Sequence, residues 1–191
     1  MVRVIEIFYS IQGEGHRTGQ PMVFVRLAGC NLRCEFCDTK YAWKLERGRR
    51  MSEEEVLEEV SKYGCGWVCL TGGEPTLQDL SRLIPLLREE GYEVAVETNG
   101  TIFQKSLRLA SWVTVSPKPG VEVHPLVMEI ADELKYVIRS EDDLKRIKYH
   151  PLVYLQPVDN DPEAVRICVD AVLKNPRWRL SLQIHKLIGI P

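Results

Sequence analysis

Residues 66–76 read GWVCLTGGEPT. Gly66–Leu70 is a short apolar run of strand length, and it stops abruptly at Thr71-Gly72-Gly73, where the chain turns polar. The same layout recurs along the chain. ETNGT follows a predicted strand at Glu93–Val96, SPK follows Trp112–Val115, and QPVD follows Leu152–Leu155. Further strands are expected at Val2–Phe8, Met22–Leu27, Leu134–Ile138 and Trp178–Leu182, all rich in apolar, mostly β-branched or aromatic residues. Helices are expected between them. Ser52–Tyr63 opens with Ser52 as N-cap and Glu55 three residues on, a capping box. Leu77–Glu90 ends at Gly91, with Pro85 as a weak point; Glu141–Ile147 is a further helix; Pro162–Lys174 carries proline in its first turn. No helix is assigned within 119–133, and 40–51 is left without a defined architecture.

Alternating strands and helices imply a parallel sheet covered by helices. A chain of 191 residues falls short of the about 250 typical of an eight-fold barrel. The expectation is therefore an α/β fold of one domain, residues 1–191: an incomplete, TIM-like barrel with mostly parallel strands. The polar motifs all leave the same ends of those strands, where such folds bind ligands.

Composition narrows the function. The chain is 45% hydrophobic and 27% charged, with a net charge of −2, so charge gives no case for nucleic acid as a main partner. No apolar run approaches the roughly 20 residues of a membrane span. The N-terminus lacks a signal peptide's long apolar stretch, which points to the cytoplasm. In a reducing compartment six cysteines are not expected to form a disulfide framework; a local cluster suggests a metal site.

That cluster is GCNLRCEFCDT, Gly29–Thr39. Cys30, Cys34 and Cys37 are spaced C-x3-C-x2-C. A structural zinc site wants four protein ligands. Cys65, Cys69 or His16 could supply a fourth, but none stands at zinc-finger spacing. Three thiolates suit a [4Fe–4S] cluster better, with one iron left open for a small molecule. Leu32 and Phe36 would limit solvent access to it.

With the aromatic residue before the third cysteine (Cys30, Cys34, Phe36, Cys37) and GGEP at Gly72–Pro75, the chain resembles the radical SAM superfamily. Longer stretches resemble one family within it, the 7-carboxy-7-deazaguanine synthases: FYSIQGEG (Phe8–Gly15), FVRLAGCNLRCEFCDT (Phe24–Thr39), CLTGGEPTLQ (Cys69–Gln78), VETNGT (Val96–Thr101), SPK (Ser116–Lys118), LQPVD (Leu155–Asp159) and WRLSLQIHKLIGIP (Trp178–Pro191). The resemblance implies conversion of 6-carboxy-5,6,7,8-tetrahydropterin to 7-carboxy-7-deazaguanine with loss of ammonia, in deazapurine nucleoside biosynthesis. It implies a [4Fe–4S] cluster on Cys30, Cys34 and Cys37, S-adenosylmethionine as a regenerated cofactor, and Mg2+ on Thr39. An electron donor such as flavodoxin or ferredoxin and a homodimer are implied too; a dimer would also cover open sheet edges.

Residue roles carried over from the family fall into two groups. Substrate contacts would come from Ile11, Gln12, Gly13 and Glu14, from Arg26 and Thr71, and from His185 and Pro191 near the end. An amide and a carboxylate can pair with a pterin edge, and a guanidinium fork fits a carboxylate. S-adenosylmethionine contacts would come from Phe36, Cys37 and Asp38, from Gly73, from Ser116, Pro117 and Lys118, and from Gln156, Pro157, Val158 and Asp159.

Each local pattern has a plainer alternative. Gln12–Glu14 reads equally as a glycine-rich turn. Arg26 inside an apolar strand needs a partner, and an internal ion pair would serve. Cys65, Cys69 and Cys168 read as buried thiols, and the four tryptophans as core or interface. A radical SAM activase acting on a partner protein and a non-catalytic zinc module are the competing functions.

Overall fold

The computed structural model describes residues 1–191. A nine-stranded sheet runs in the order β3-β1-β2-β4-β5-β6-β7-β8-β9. Its strands are β1 (Val2–Ile11), β2 (Pro21–Leu27), β3 (Arg49–Met51), β4 (Trp67–Gly72), β5 (Glu93–Thr98), β6 (Trp112–Val115), β7 (Glu133–Ile138), β8 (Val153–Pro157) and β9 (Trp178–Leu180). From β2 through β9 every pairing is parallel, while β1 runs antiparallel to both of its neighbours. The sheet does not close: β3 and β9 are its edges. The expected partial, mostly parallel barrel is the observed architecture.

Side chains alternate across this sheet with period two. Val23, Val25 and Leu27 of β2, Val94 and Val96 of β5, and Leu134, Tyr136 and Ile138 of β7 join one 28-residue core on the convex side. Helices α1 (Glu53–Ser61), α2 (Leu83–Glu89), α3 (Pro125–Ile130) and α4 (Pro162–Lys174) cover it, contributing among others Val56, Leu87, Val127 and Ile167. Burying each such side chain stabilises by roughly 1.5–3 kcal/mol. The interleaved residues face the concave side, where Met22, Phe24, Cys69 and Ala95 form only a small apolar cluster.

The loop between β1 and β2 closes the floor of the concave side. Its neck is pinned by Gln12 N–H on Gln20 O and Gly19 N–H on Gln12 O, both 2.8 Å. Gly15 N–H donates to Ser181 Oγ (2.8 Å) and His16 N–H to Glu133 Oε2 (2.9 Å). Gly15 has φ +67, and a Cβ there would overlap the Glu133 carboxylate, so the position requires glycine. Arg17 lies between the indoles of Trp67 (3.8 Å) and Trp112 (4.6 Å), and His16 stacks on Trp112. His16 is thus a floor residue, far in role from a fourth zinc ligand.

Several elements differ from expectation. The capping box at Ser52 and Glu55 is formed, and α4 begins at Pro162 with Asp161 as its cap. The helix expected over Leu77–Glu90, by contrast, starts only at Leu83, because Pro85 cannot follow a helical carbonyl at Ser81 and must sit in the first turn. Gln104 holds the freed backbone, bonding Leu80 N–H, Thr76 O and Gln78 O, while the Gln78 side chain ties the segment to Arg3 N–H and O and to Ala28 O. Glu141–Arg146 is a 3-10 helix. Residues 40–51 form two 3-10 turns and edge strand β3, and 119–133 contains α3 with His124 as N-cap. Strand β9 ends at Leu180, and a further short helix, α5 (Ile184–Ile188), follows.

Candidate active site

One cavity fills the concave side, and the expected residues converge on it. Strand β2 contributes Arg26, β4 Thr71, β8 Gln156, and the loop after β6 Ser116 and Lys118. From the cysteine loop come Cys30, Cys34, Phe36, Cys37, Asp38 and Thr39; from the β1–β2 loop come Gln12, Gly13 and Glu14, next to Ile11. Gly73, Val158, Asp159, His185 and Pro191 complete the set. Pro117 and Pro157 do not line it: Pro117 O accepts from Arg146 (2.8 Å), and Pro157 is buried at the end of β8.

The cysteine loop is held by backbone hydrogen bonds at its base and by the Asn31 side chain, which donates to Thr101 Oγ1 (2.8 Å) and accepts from Asn99 Nδ2 (3.0 Å). Gly29 N–H and Cys30 N–H donate to Ala42 O (2.8 Å) and Trp43 O (3.1 Å), while Gly73 N–H and Glu74 N–H return to Leu27 O and Gly29 O. A Cβ on Gly72 would overlap Leu27, and one on Gly73 would overlap Gly29 O, so both glycines are required by this close backbone contact. Glu74 of the GGEP turn is fully buried and points away from the cavity's centre. It accepts from Thr76 N–H and Oγ1, Thr98 Oγ1 and Asn99 N–H, lashing the end of β4 to the end of β5.

All three loop cysteines are free and half-buried. Cys30 has its thiol pushed up by burial. No three His, Cys, Asp or Glu side chains converge closely enough to enclose a single metal ion. Three soft donors spread along one loop fit a multi-iron cluster and not a compact zinc site. Thr39 offers one hydroxyl, already donating to Asp38 Oδ1 (2.9 Å); such a sparse hard-oxygen set fits Mg2+, which keeps several waters. Among the remaining cysteines Cys69 and Cys168 are buried as expected, whereas Cys65 is only half-buried, with its thiol on Pro21 O.

Arg26 has both of the properties weighed for it. Its Nε donates to Glu6 Oε1 (2.7 Å), which also accepts from Tyr41 OH (2.8 Å). Neither terminal guanidinium nitrogen has a carboxylate partner, and the side chain lines the cavity.

Deeper in, sequence reasoning missed a buried ring. Lys135 of β7, 4% exposed, pairs with Glu14 and lies 3.6 Å from Glu97 Oε2. Gln12 Nε2 donates to Glu97 Oε1 (2.9 Å), and Glu14 N–H donates to Gln12 Oε1 (3.1 Å). Burial opposes the charge on Glu14, but Lys135 and Gln183 more than offset it and hold its pKa below the usual range. Burial likewise opposes the charge on Lys135, and Glu14 and Glu97 raise it. Lys118 has only Ser116 Oγ (2.7 Å) as partner, and burial followed by Lys135 lowers its pKa. A lysine inside an apolar strand was the available signal for the ring; the glutamate of ETNGT was the other.

The C-terminal segment straps the cavity's mouth. Gln183 Nε2 donates to Glu14 Oε1 (2.8 Å) and Asp38 Oδ2 (3.1 Å); Lys186 Nζ bridges Asp38 Oδ2 (2.8 Å) and Asp159 Oδ1 (2.6 Å). Burial raises the Asp38 pKa, but Lys186, Thr39 and Gln183 outweigh it and hold it at about 2. Ile184 N–H donates to Gly13 O (3.0 Å), Ser10 Oγ to Pro191 O (2.8 Å), and His185 packs so tightly on Gly13 that a Cβ there would overlap its ring.

A partial parallel barrel, with a three-cysteine loop leaving its first parallel strand and a glycine turn leaving its second, defines the class. Residues 24–118 match the Radical SAM superfamily. The chain belongs to the 7-carboxy-7-deazaguanine synthase family of that superfamily. It is 45% identical to the 7-carboxy-7-deazaguanine synthase of Bacteroides thetaiotaomicron, covering 100% of this chain and 99% of that protein. It is 33% identical to that of Escherichia coli K12, covering 97% of each. The crystal structure of QueE from Escherichia coli superposes with a TM-score of 0.83 at 31% identity, over 95% of this chain and 93% of that one. Streptococcus suis SuiB, at 15% identity and a TM-score of 0.53, shares the fold over 84% of this chain and 47% of its own. The protein is therefore a radical SAM enzyme and a lyase, with a [4Fe–4S] cluster, S-adenosylmethionine and Mg2+ as cofactors, and it takes a small-molecule substrate and a reductant. No helix is long and apolar enough to cross a membrane.

Proposed function

We propose that the chain acts as one domain and converts 6-carboxy-5,6,7,8-tetrahydropterin to 7-carboxy-7-deazaguanine with loss of ammonia. The step belongs to deazapurine nucleoside biosynthesis of the queuosine or archaeosine type. One observation carries this reading: acceptor groups suited to a pterin edge (Gln12, Glu14), a guanidinium with free terminal nitrogens (Arg26) and three thiols all line one cavity.

Cys30, Cys34 and Cys37 would hold the cluster, and Thr39 would contribute to Mg2+. When bound, the cluster and S-adenosylmethionine supply a 5′-deoxyadenosyl radical, and Mg2+ supplies charge opposite the substrate carboxylate. The chain's own groups bind and orient. Arg26, fixed by Glu6 through Nε, turns its other two nitrogens toward a carboxylate. Gln12 and Glu14 accept from the pterin, and Ile11, Gly13, Thr71, His185 and Pro191 bound the same end. Phe36, Asp38, Gly73 and Lys118 fit S-adenosylmethionine, with Ser116, Gln156, Val158 and Asp159 on the adjoining strand ends; Pro117 and Pro157 shape those turns from behind. The strap from Gln183 to Pro191 excludes water, which strengthens each polar contact beneath it. A homodimer in the cytoplasm, reduced by flavodoxin or ferredoxin and independent of nucleic acid, completes the reading.

The test is anaerobic reconstitution with iron and sulfide, then addition of S-adenosylmethionine, reductant, Mg2+ and the tetrahydropterin. A product lighter by one ammonia, lost in Cys37→Ala, supports the reading. Formation of 5′-deoxyadenosine without that product would sink the substrate assignment while leaving the radical chemistry standing.

A further inference from the structure

Two carboxylates and one ammonium meet at the centre of the concave face, leaving one negative charge unmatched. Three of the four carboxylate oxygens have hydrogen-bond partners: Glu14 Oε1 takes Gln183, Glu14 Oε2 takes Lys135, and Glu97 Oε1 takes Gln12. The fourth, Glu97 Oε2, has Lys135 at 3.6 Å, within ion-pair range but too far for a hydrogen bond. That oxygen borders the cavity and keeps its acceptor capacity. The Glu97 side chain keeps 24% exposure, so this acceptor is open to a donor from the ligand.

We propose that Lys135 is a positioning residue of the substrate site: its ammonium pairs with both the Glu14 and the Glu97 carboxylate and fixes where each stands, so that the pair selects a ligand edge carrying adjacent N–H donors. This deepens the pterin reading and rests on it, since an aminopyrimidinone edge is of that class. The groups facing Lys135 are Glu14 from the floor loop, Glu97 from β5, Cys69 from β4, Glu133 on its own strand and Lys118 beyond β6; Asp38 and Arg26 act from farther out. Without the lysine, burial acts on Glu14 with no ammonium to offset it and with a second carboxylate in the same ring, so the Glu14 pKa rises and binding gains a pH dependence. A protonated member donates where the ligand also donates, and its geometry is lost.

The experiment is a fluorescence titration of the reconstituted enzyme with 6-carboxypterin, an air-stable probe, across pH. Wild type is expected to bind with a flat profile between about pH 6 and 8, since Glu14 titrates below that window and Lys135 above it. Lys135→Met is expected to bind roughly ten-fold more weakly, and to gain a pH dependence that wild type lacks. The charge-balanced pair Lys135→Met with Glu97→Gln is expected to return to a flat profile, within about three-fold of the affinity of Glu97→Gln alone. Lys135→Met with unchanged affinity and a flat profile overturns the proposal. So does a double variant as pH-dependent as the single one. If Lys135→Met fails to fold by its thermal melt, the double variant decides by the same criterion. Wild type that cleaves S-adenosylmethionine but does not bind the pterin removes the substrate reading, and this inference with it; a wild type that binds, beside an insensitive Lys135→Met, removes the inference alone.

Discussion

Strand β7 carries Leu134, Tyr136 and Ile138 on its convex side and Glu133, Lys135 and Val137 on the other. The same six residues of backbone thus serve two environments. Convex side chains gain chiefly from area removed from water, and of the three only Tyr136 has a polar partner, its hydroxyl accepting from Lys148 N–H (3.1 Å). Concave ones are equally withdrawn from solvent, but each charge there needs a named partner at a fixed distance, because an uncompensated buried charge costs several kcal/mol. Stability is therefore concentrated on one face and chemistry on the other, a single peptide apart.

Substitutions on the two faces should separate these quantities. The largest effect is expected from Cys37→Ala, which should abolish 5′-deoxyadenosine formation while shifting the melting temperature of the cluster-free protein by no more than about 2 °C. Leu134→Ala on the convex face should do the reverse. A loss of about 2–5 kcal/mol, read from the urea midpoint, should leave kcat near wild type below the transition. If Leu134→Ala instead destroys turnover in the folded protein, the division between faces fails. Lys186→Ala should raise the KM for S-adenosylmethionine by about three- to ten-fold with little change in stability, because its two ion pairs are partly exposed. Steady-state kinetics beside a thermal melt would check it.

Smaller effects come from titration and labelling. Glu14 has a depressed pKa, so its contribution to stability is complete above the ordinary value near 4.5 and is lost as pH falls through the folded-state value. Acid unfolding of Glu14→Gln should accordingly be less steep than that of wild type, as circular dichroism would record. In cluster-free protein at pH 8, iodoacetamide should modify the three loop cysteines and Cys65 but spare Cys69 and Cys168. Burial raises both of the latter thiols, Cys168 to about 12. Labelling of Cys168 before Cys34, seen by peptide mass spectrometry, would contradict the packing of α4.

Local signals made much of this legible from sequence. The capping box at Ser52 and the proline opening α4 are decided within four residues, and the convex face announces itself through runs such as GWVCL and LKYVI. Most motif residues that line the cavity come to it at or just past the ends of parallel strands, whereas Ile11–Glu14 leave the antiparallel β1 and His185 and Pro191 come from the C-terminal strap. What stayed hidden depends on contacts distant in sequence. Lys135 finds Glu14 across 121 residues, and no pattern around either residue specifies the other. Pro85 signals the late start of α2 locally, but the stretch before it is fixed by Gln104, which reaches Leu80 N–H and the carbonyls of Thr76 and Gln78 from across 24 to 28 residues. Arg26 was ambiguous between ion pair and ligand contact because a guanidinium has enough nitrogens for both.

The floor of the barrel has an optical consequence. Of the four tryptophans, Trp67 and Trp112 both clasp the Arg17 guanidinium, Trp43 borders the cavity, and Trp178 lies on edge strand β9. None sits among the fully buried residues of the convex core. Emission from Trp67 and Trp112 therefore reports on the seating of the β1–β2 loop. A red shift that precedes the loss of far-ultraviolet ellipticity would follow the withdrawal of Arg17 from its indole slot, giving a label-free readout of whether Gln12 and Glu14 stand ready beneath the strap.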